Sequence, residues 1–191
     1  MKGYIQVYTG DGKGKTTAAV GLAIRCLGAG KKVCIIQFMK SLAYSEQKLL
    51  QTLPGLTLIT LGKPYFLVRE GTLSEEELRA MGDNVRVYTP GHPPEDYRDM
   101  IRKGVDQAVE AVSGPYDLVI LDEYNMACWY ELADEEDTKR ILAARSPETE
   151  LVFTGRNAPK ILLEKADLIT EMKKIRHYFD KGITARKGIE D

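Results

Sequence analysis

The residues of this chain that could do chemistry begin with Thr9-Gly10-Asp11-Gly12-Lys13-Gly14-Lys15-Thr16-Thr17. Gly10, Gly12 and Gly14 let successive backbone N–H groups turn inward around an oxyanion, and a helix opening behind them adds its partial positive end. Lys15 can reach terminal phosphate oxygens, and the Thr16 hydroxyl can ligate Mg²⁺. The pattern G-x-x-x-x-G-K-[ST] asks for glycine at position 9, where this chain has Thr, but Gly14-Lys15-Thr16 match it. A bare strand-to-helix turn would need neither Lys13 nor Lys15. The stretch reads as a phosphate-binding loop, with Gly10, Asp11, Gly12, Lys13, Gly14, Lys15, Thr16 and Thr17 around a nucleotide such as ATP.

A second loaded stretch is the apolar run Tyr116–Leu121, YDLVIL, which ends in Asp122-Glu123. Carboxylates at the end of a buried strand, in a chain with a phosphate loop, read as the acidic element that completes a Mg²⁺ shell directly or through water. Thr16, Asp122 and Glu123 are the candidate metal residues, and Lys15, Thr16 and Glu123 the candidate catalytic set. Side chains alternate along a strand, so ordinarily one of the two acids faces the site, and the sequence leaves open which. His92 and His177 lie in no triad-like context.

These residues require a scaffold, and the chain reads as alternating strands and helices. Tyr4–Tyr8, Val33–Phe38, Leu56–Thr60, Tyr116–Leu121, Leu151–Thr154 and Leu168–Met172 are strand candidates. Helical stretches are expected at Thr16–Leu27, stopped by Gly28 and Gly30, then Tyr97–Val112, Asp134–Ala144 and Pro159–Lys165. Ser74–Glu77 carries the S-x-x-E capping pattern. Almost wholly apolar runs such as VCIIQF read as strands covered on both faces. The fold class is therefore α/β: a mainly parallel sheet with helices on both faces, of the P-loop (RecA-like) kind, in a single domain over residues 1–191. Ligands in such folds bind at the carboxyl ends of the strands. That places Gly10–Thr16, Gln37–Ser41, Asp122–Asn125 and Thr154–Asn157 on one rim. The stretch Thr60–Pro94, broken by glycines and prolines, reads as loop.

Composition narrows the classes. The 191 residues carry 27 Lys and Arg against 28 Asp and Glu, a net charge of −1, which argues against a general nucleic-acid binder. No apolar run approaches the roughly 18 residues of a membrane span, and the opening MKGYIQVYTG enters a strand pattern directly. Cys26, Cys34 and Cys128 are odd in number and far apart, and Cys26 and Cys34 sit in apolar stretches, which suits buried thiols in a reducing, cytoplasmic compartment.

The stretch TGDGKGKTTAAVGLAIRCLGAGKKVCIIQFMKS, from Thr9, resembles the opening of the P-loop type of corrinoid adenosyltransferase. It carries the non-glycine residue at 9, Arg25 on the first helix and a QF-x-K strand end at Gln37–Lys40. The later segments LVILDEYNMA from Leu118, VFTGRNAP from Val152, ADLITEM from Ala166 and RHYFDKGITARKGIE from Arg176 resemble that family in order, over nearly the whole chain. The resemblance implies transfer of the 5′-deoxyadenosyl group of ATP to the Co(I) centre of a reduced corrinoid, with triphosphate leaving. It implies a nucleotide reversed relative to most P-loop proteins, Thr16 and Glu123 as Mg²⁺ ligands, and Arg25 and Asn157 near the nucleotide. It further implies an aromatic-bearing loop at Gly62–Leu67 that displaces the lower axial ligand of cobalt, with Phe66, then Tyr65, facing the corrinoid. A homodimer and a flavoprotein electron donor also follow from it.

The chain departs from the family pattern at Ser41, where glycine is usual, and at Asp191, where the family tends to an aromatic, and it is expected to lack the N-terminal extension of some relatives. Trp129 and Tyr130 suit core packing or a subunit contact better than a corrinoid face. Two rival readings stand beside the transferase: a RecA-like ATPase that hydrolyses ATP, and a non-catalytic nucleotide- or corrinoid-binding regulator.

Overall fold

A computed structural model describes residues 2–41 and 44–190. In chain order its elements are β1 (Ile5–Thr9), α1 (Lys15–Gly28), β2 (Val33–Phe38), α2 (Ser45–Leu50), β3 (Leu56–Leu61), β4 (Phe66–Arg69), α3 (Glu75–Ala80), β5 (Val85–Tyr88), α4 (Glu95–Ser113), β6 (Leu118–Asp122), α5 (Tyr124–Trp129), α6 (Glu135–Ala144), β7 (Glu150–Thr154), α7 (Lys160–Lys165), β8 (Leu168–Glu171) and a 3₁₀ turn, Tyr178–Lys181. Six strands form one sheet in the order β3-β2-β6-β7-β1-β8, and every pairing in it is parallel. This is the α/β fold that the apolar strand runs imply.

The pleat divides the core in two. Val33 and Ile35 of β2, Leu118 and Ile120 of β6, and Val152 of β7 pack with Ala19 and Ala23 of α1. Their neighbours Cys34, Ile36, Val119, Leu121, Leu151 and Phe153 pack on the opposite face with Tyr97, Ile101, Val105 and Ala108 of α4. Each fully buried Ile or Leu of this set contributes about 1.5–3 kcal/mol, so any one-residue slip of a central strand would exchange two complete layers. At Gly104 a Cβ would strike the Leu61 side chain, and that close approach seats α4 on β3.

Residues 60–94, expected as loop, contain more structure than their sequence suggests. β4 and β5 pair in parallel as a separate two-stranded sheet joined through α3, whose N terminus is the expected capping box: Glu77 N donates to Ser74 Oγ and Ser74 N to the Glu77 carboxylate. Phe66 and Leu67 therefore open a strand, and the loop proper ends at Tyr65. Their partners are Val85 and Arg86, nineteen residues on, and the intervening Gly71 and Gly82 hide that pairing from local pattern. Helices α2 and α5 are likewise unannounced. The layer is anchored to the segment after α5, where Tyr88 Oη donates to Tyr130 O (3.0 Å) and Arg69 pairs with Glu131 (3.4 Å).

Candidate functional site

Strand parity builds the site. On the α1 face, Val33 and Ile35 are followed by Gln37, Leu118 and Ile120 by Asp122, and Val152 by Thr154. Gln37 is in register with Asp122, and β7 lies on the other side of β6. These polar ends therefore sit side by side, directly beneath the start of α1. All three are buried, which polar groups tolerate only when hydrogen-bonded.

They are. Asp122 Oδ1 accepts from Thr154 Oγ1 (2.6 Å) and Thr16 Oγ1 (2.9 Å), and Oδ2 from Lys40 Nζ (2.8 Å) and Gln37 Nε2 (3.1 Å). Gln37 Oε1 is in turn held by Gln47 Nε2 of α2 at 2.8 Å. Burial alone would raise the Asp122 carboxyl, but the Lys40 charge and the bonds from Lys40, Thr154 and Thr16 outweigh it and hold it below the ordinary carboxylate value. Four donors fill its lone pairs, so Asp122 acts as an orienting anion under Thr16.

Glu123 reaches the site by a different route. Parity would send it to the α4 face, but its φ of +59° turns the chain left-handed where β6 meets α5, and its side chain lines the cleft. A left-handed non-glycine residue is strained and concentrates at functional sites. Met39 (φ +59°) after β2 and Asn157 (φ +54°) beyond β7 share this backbone along the same rim. Glu123 N donates to Thr154 Oγ1 (3.0 Å), so one threonine hydroxyl fixes both acids. Burial, and then the charge of Asp122, push the Glu123 carboxyl up.

The phosphate loop is folded on itself. Lys15 Nζ donates to the carbonyls of Gly10 and Gly12, both at 2.7 Å, and burial lowers its pKa. No side chain caps the N terminus of α1, which leaves its first amides to a ligand. The loop glycines have a second task. Gly12 N donates to Met172 O (2.6 Å), and a Cβ on Gly12 would lie 2.7 Å from that oxygen, so only glycine lets the loop rest on the chain leaving β8.

A cleft of 640 Å³ opens over Gly14–Thr17 and takes in Lys13, Lys40, Tyr44, Glu123 and the C-terminal Gly188–Glu190. Lys13 is engaged by that tail: its Nζ donates to Tyr178 Oη (3.0 Å), Ile189 O (3.1 Å) and Glu190 Oε1 (3.0 Å). Arg186 pairs with both oxygens of Glu190, and this pairing, with the Tyr178 hydroxyl, holds the Glu190 carboxyl far below its usual range.

The residues expected at the site thus divide. Gly14, Lys15, Thr16, Thr17, Lys13 and Glu123 meet at the cleft, with Asp122 beneath it. Asp11 turns away, accepting from Lys174 N (3.0 Å). Arg25 is exposed in the last turn of α1, about 15 Å of helix beyond Lys15. Asn157 lines a second cavity, of 560 Å³, with Phe66, Trp129, Tyr130 and Arg156. Phe66 is 58% exposed there. Tyr65 instead packs edge-on against Tyr97, ring centroids 5.9 Å apart. The departure at Asp191 lies outside the described residues. Gln37, Lys40 and Thr154 lie on the expected rim although the sequence assigns them no role, and the C-terminal tail joins the site unexpectedly.

Thr16 and Glu123 offer oxygen ligands only, a donor set suited to Mg²⁺. A cation already lies against one of these oxygens: Lys40 Nζ is 3.1 Å from Thr16 Oγ1, and 2.8 Å from Oδ2 of Asp122 beneath it. Among the described residues no helix is long and apolar enough to cross a membrane. Among them too the three cysteines are free, and burial pushes the Cys34 and Cys128 thiols up to about 12.

Residues 1–190 match the family described as ATP:corrinoid adenosyltransferase BtuR/CobO/CobP. A corrinoid adenosyltransferase of a Sinorhizobium species is 34% identical over 99% of this chain and 80% of its own. The corrinoid adenosyltransferases of Escherichia coli K12 and Salmonella typhimurium LT2 are each 30% identical over 99% of this chain and 86% of theirs. Among solved structures, the RadB recombinase aligns with 92% of this chain and 77% of its own at 14% identity, with a TM-score of 0.44.

Proposed function

From the premise that the chain belongs to the ATP:corrinoid adenosyltransferase family, we propose how its own residues carry out adenosyl transfer from ATP to a corrinoid. The observation that carries the reading is the joining of the phosphate loop to the acidic strand end, Thr16 Oγ1 donating to Asp122 Oδ1 at 2.9 Å with Glu123 beside them in the cleft. The ATPase and regulator alternatives are not favoured, because the family match runs the length of the chain.

In this reading the loop amides, Lys13 and Lys15 receive the triphosphate, Lys15 exchanging the Gly10 and Gly12 carbonyls for phosphate oxygens. Thr16 and Glu123 would hold Mg²⁺, with Asp122 fixing the Thr16 hydroxyl. Held there, the ion would supply positive charge to offset the negative charge building on the leaving triphosphate. The substrate corrinoid supplies the nucleophile: the Co(I) electron pair forms the Co–C5′ bond, the C5′–O5′ bond breaks, and triphosphate departs with the C5′–O5′ bonding pair on its oxygen. No protein nucleophile or general base is required, and the protein's share is alignment and neutralisation of charge.

Phe66 supports a corrinoid-facing role because it stands exposed at the mouth of the second cavity. Tyr65 supports it from behind by holding that segment on Tyr97. The remaining parts of the reading are a single cytoplasmic domain over residues 1–191, a homodimer, and a flavoprotein electron donor that generates Co(I).

The test is to mix the protein with Mg·ATP and reduced cob(I)alamin without oxygen, following the absorbance change to a photolabile adenosylcobalamin. The expected result is product formation that is lost in Lys15→Ala. Release of ADP with the corrinoid still Co(I) would contradict the reading.

A further inference from the structure

Lys40 is placed where a cation is needed, against Thr16 and Asp122 and outside the phosphate loop itself. We infer that its ammonium group is a built-in stand-in for the divalent cation, holding the Thr16–Asp122 pair in ligating geometry and leaving when Mg²⁺ arrives with the nucleotide. This rests on the proposed reading in one respect only, that Mg²⁺ binds at Thr16 and Glu123.

Three observations carry it. The first is the contact itself: Nζ lies 3.1 Å from Thr16 Oγ1, the oxygen that would ligate the metal, and 2.8 Å from Asp122 Oδ2. Mg²⁺ binds oxygen at about 2.0–2.1 Å, so on that hydroxyl it would lie only about 4 Å from the ammonium, and repulsion between the two cations drives one to displace the other. The second is that the placement is built into the backbone. The left-handed Met39 (φ +59°) turns the chain at the end of β2, Met39 N donates to Leu61 O (2.7 Å), and a Cβ on Gly62 would run into the Lys40 carbonyl carbon. The third is that the displaced ammonium has somewhere to go. Its Nζ lies 5.3 Å from the centroid of the Tyr44 ring, and both residues line the cleft that would take the triphosphate. Lys40 thus trades Asp122 for phosphate oxygens, and the acidic pair is never left without a positive partner, a state that burial makes costly.

The consequence is that the protein alone should bind divalent metal poorly, and that metal and nucleotide enter together. The test measures Mn²⁺ affinity of the nucleotide-free protein by electron paramagnetic resonance, for wild type, Lys40→Met, Lys40→Arg and Lys40→Met/Glu123→Gln. We expect Lys40→Met to bind Mn²⁺ at least tenfold more tightly than wild type, about 1.4 kcal/mol, Lys40→Arg to stay at the wild-type level, and the double variant to lose the gain. A residue with a merely structural role would not raise metal affinity when removed. Lys40→Met affinity at or below wild type, or a gain that survives Glu123→Gln, overturns the inference. Should Lys40→Met fail to fold, ¹⁵N-lysine spectra of the wild-type protein decide: addition of Mg·ATP must shift the buried ammonium resonance, and an unmoved resonance overturns the inference. The outcome is independent of the transfer reaction, since a Mn²⁺ gain in a protein that forms no adenosylcobalamin would refute the transfer reading alone.

Discussion

Replacing Thr154 with valine separates the acidic pair from its shared support without opening a cavity, because the two side chains are close in shape. The Thr154 hydroxyl donates to Asp122 Oδ1 at 2.6 Å and accepts from Glu123 N at 3.0 Å. A hydrogen bond to a buried charge is worth about 1.5–3 kcal/mol, and leaving the Glu123 amide without an acceptor adds about 1–3 kcal/mol. The two losses share one atom and are not additive, so the expected destabilisation is about 3 kcal/mol. For a chain of this length that lowers the melting temperature by about 6–12 °C, measured by calorimetry at neutral pH. Thr154→Ser, which keeps the hydroxyl, should recover most of the loss. A valine variant melting within about 2 °C of wild type would refute the view that this hydroxyl organises the two acids.

Further predictions rest on the same network. Asp122 is held below its unfolded value, so its contribution is fully present above about pH 4 and lost as pH falls through its lower folded value; acid titration of Lys40→Met should show unfolding beginning at higher pH than in wild type. Glu123 is pushed up by burial and by Asp122, so folding opposes its ionised form and its cost grows as pH rises above about 4.3. Glu123→Gln should therefore raise the melting temperature at pH 7 by a few degrees while adenosyl transfer falls at least tenfold. Phe66→Ala should change stability by no more than about 0.5 kcal/mol, as expected of an exposed side chain, yet slow transfer to a corrinoid whose lower ligand is intact.

Much of the fold and half of the site are legible in the chain. The strands VCIIQF and YDLVIL are apolar on both faces because helices cover both faces, and their alternation alone assigns Gln37 and Asp122 to the α1 side. Thr154 follows by the same parity from Val152. What parity could not supply is Glu123, which points to the cleft only because its backbone turns left-handed. Nor could local pattern reveal β4 and β5, whose pairing spans nineteen residues, or bring the tail at Tyr178–Glu190 back to Lys13. Long-range packing also sends Asp11 to Lys174 and Asn157 to the second cavity, whereas the place of Arg25 in the last turn of α1 follows from the helix alone.

The most direct test of the central claim is a single-turnover count of products. Protein in excess over cob(I)alamin, with Mg·ATP carrying label in both the adenosine and the γ-phosphate, is quenched and separated. The account predicts one intact triphosphate for each adenosyl group bound to cobalt, and neither product in Lys15→Ala. Labelled orthophosphate and ADP, with no adenosine label on the corrinoid, would contradict it.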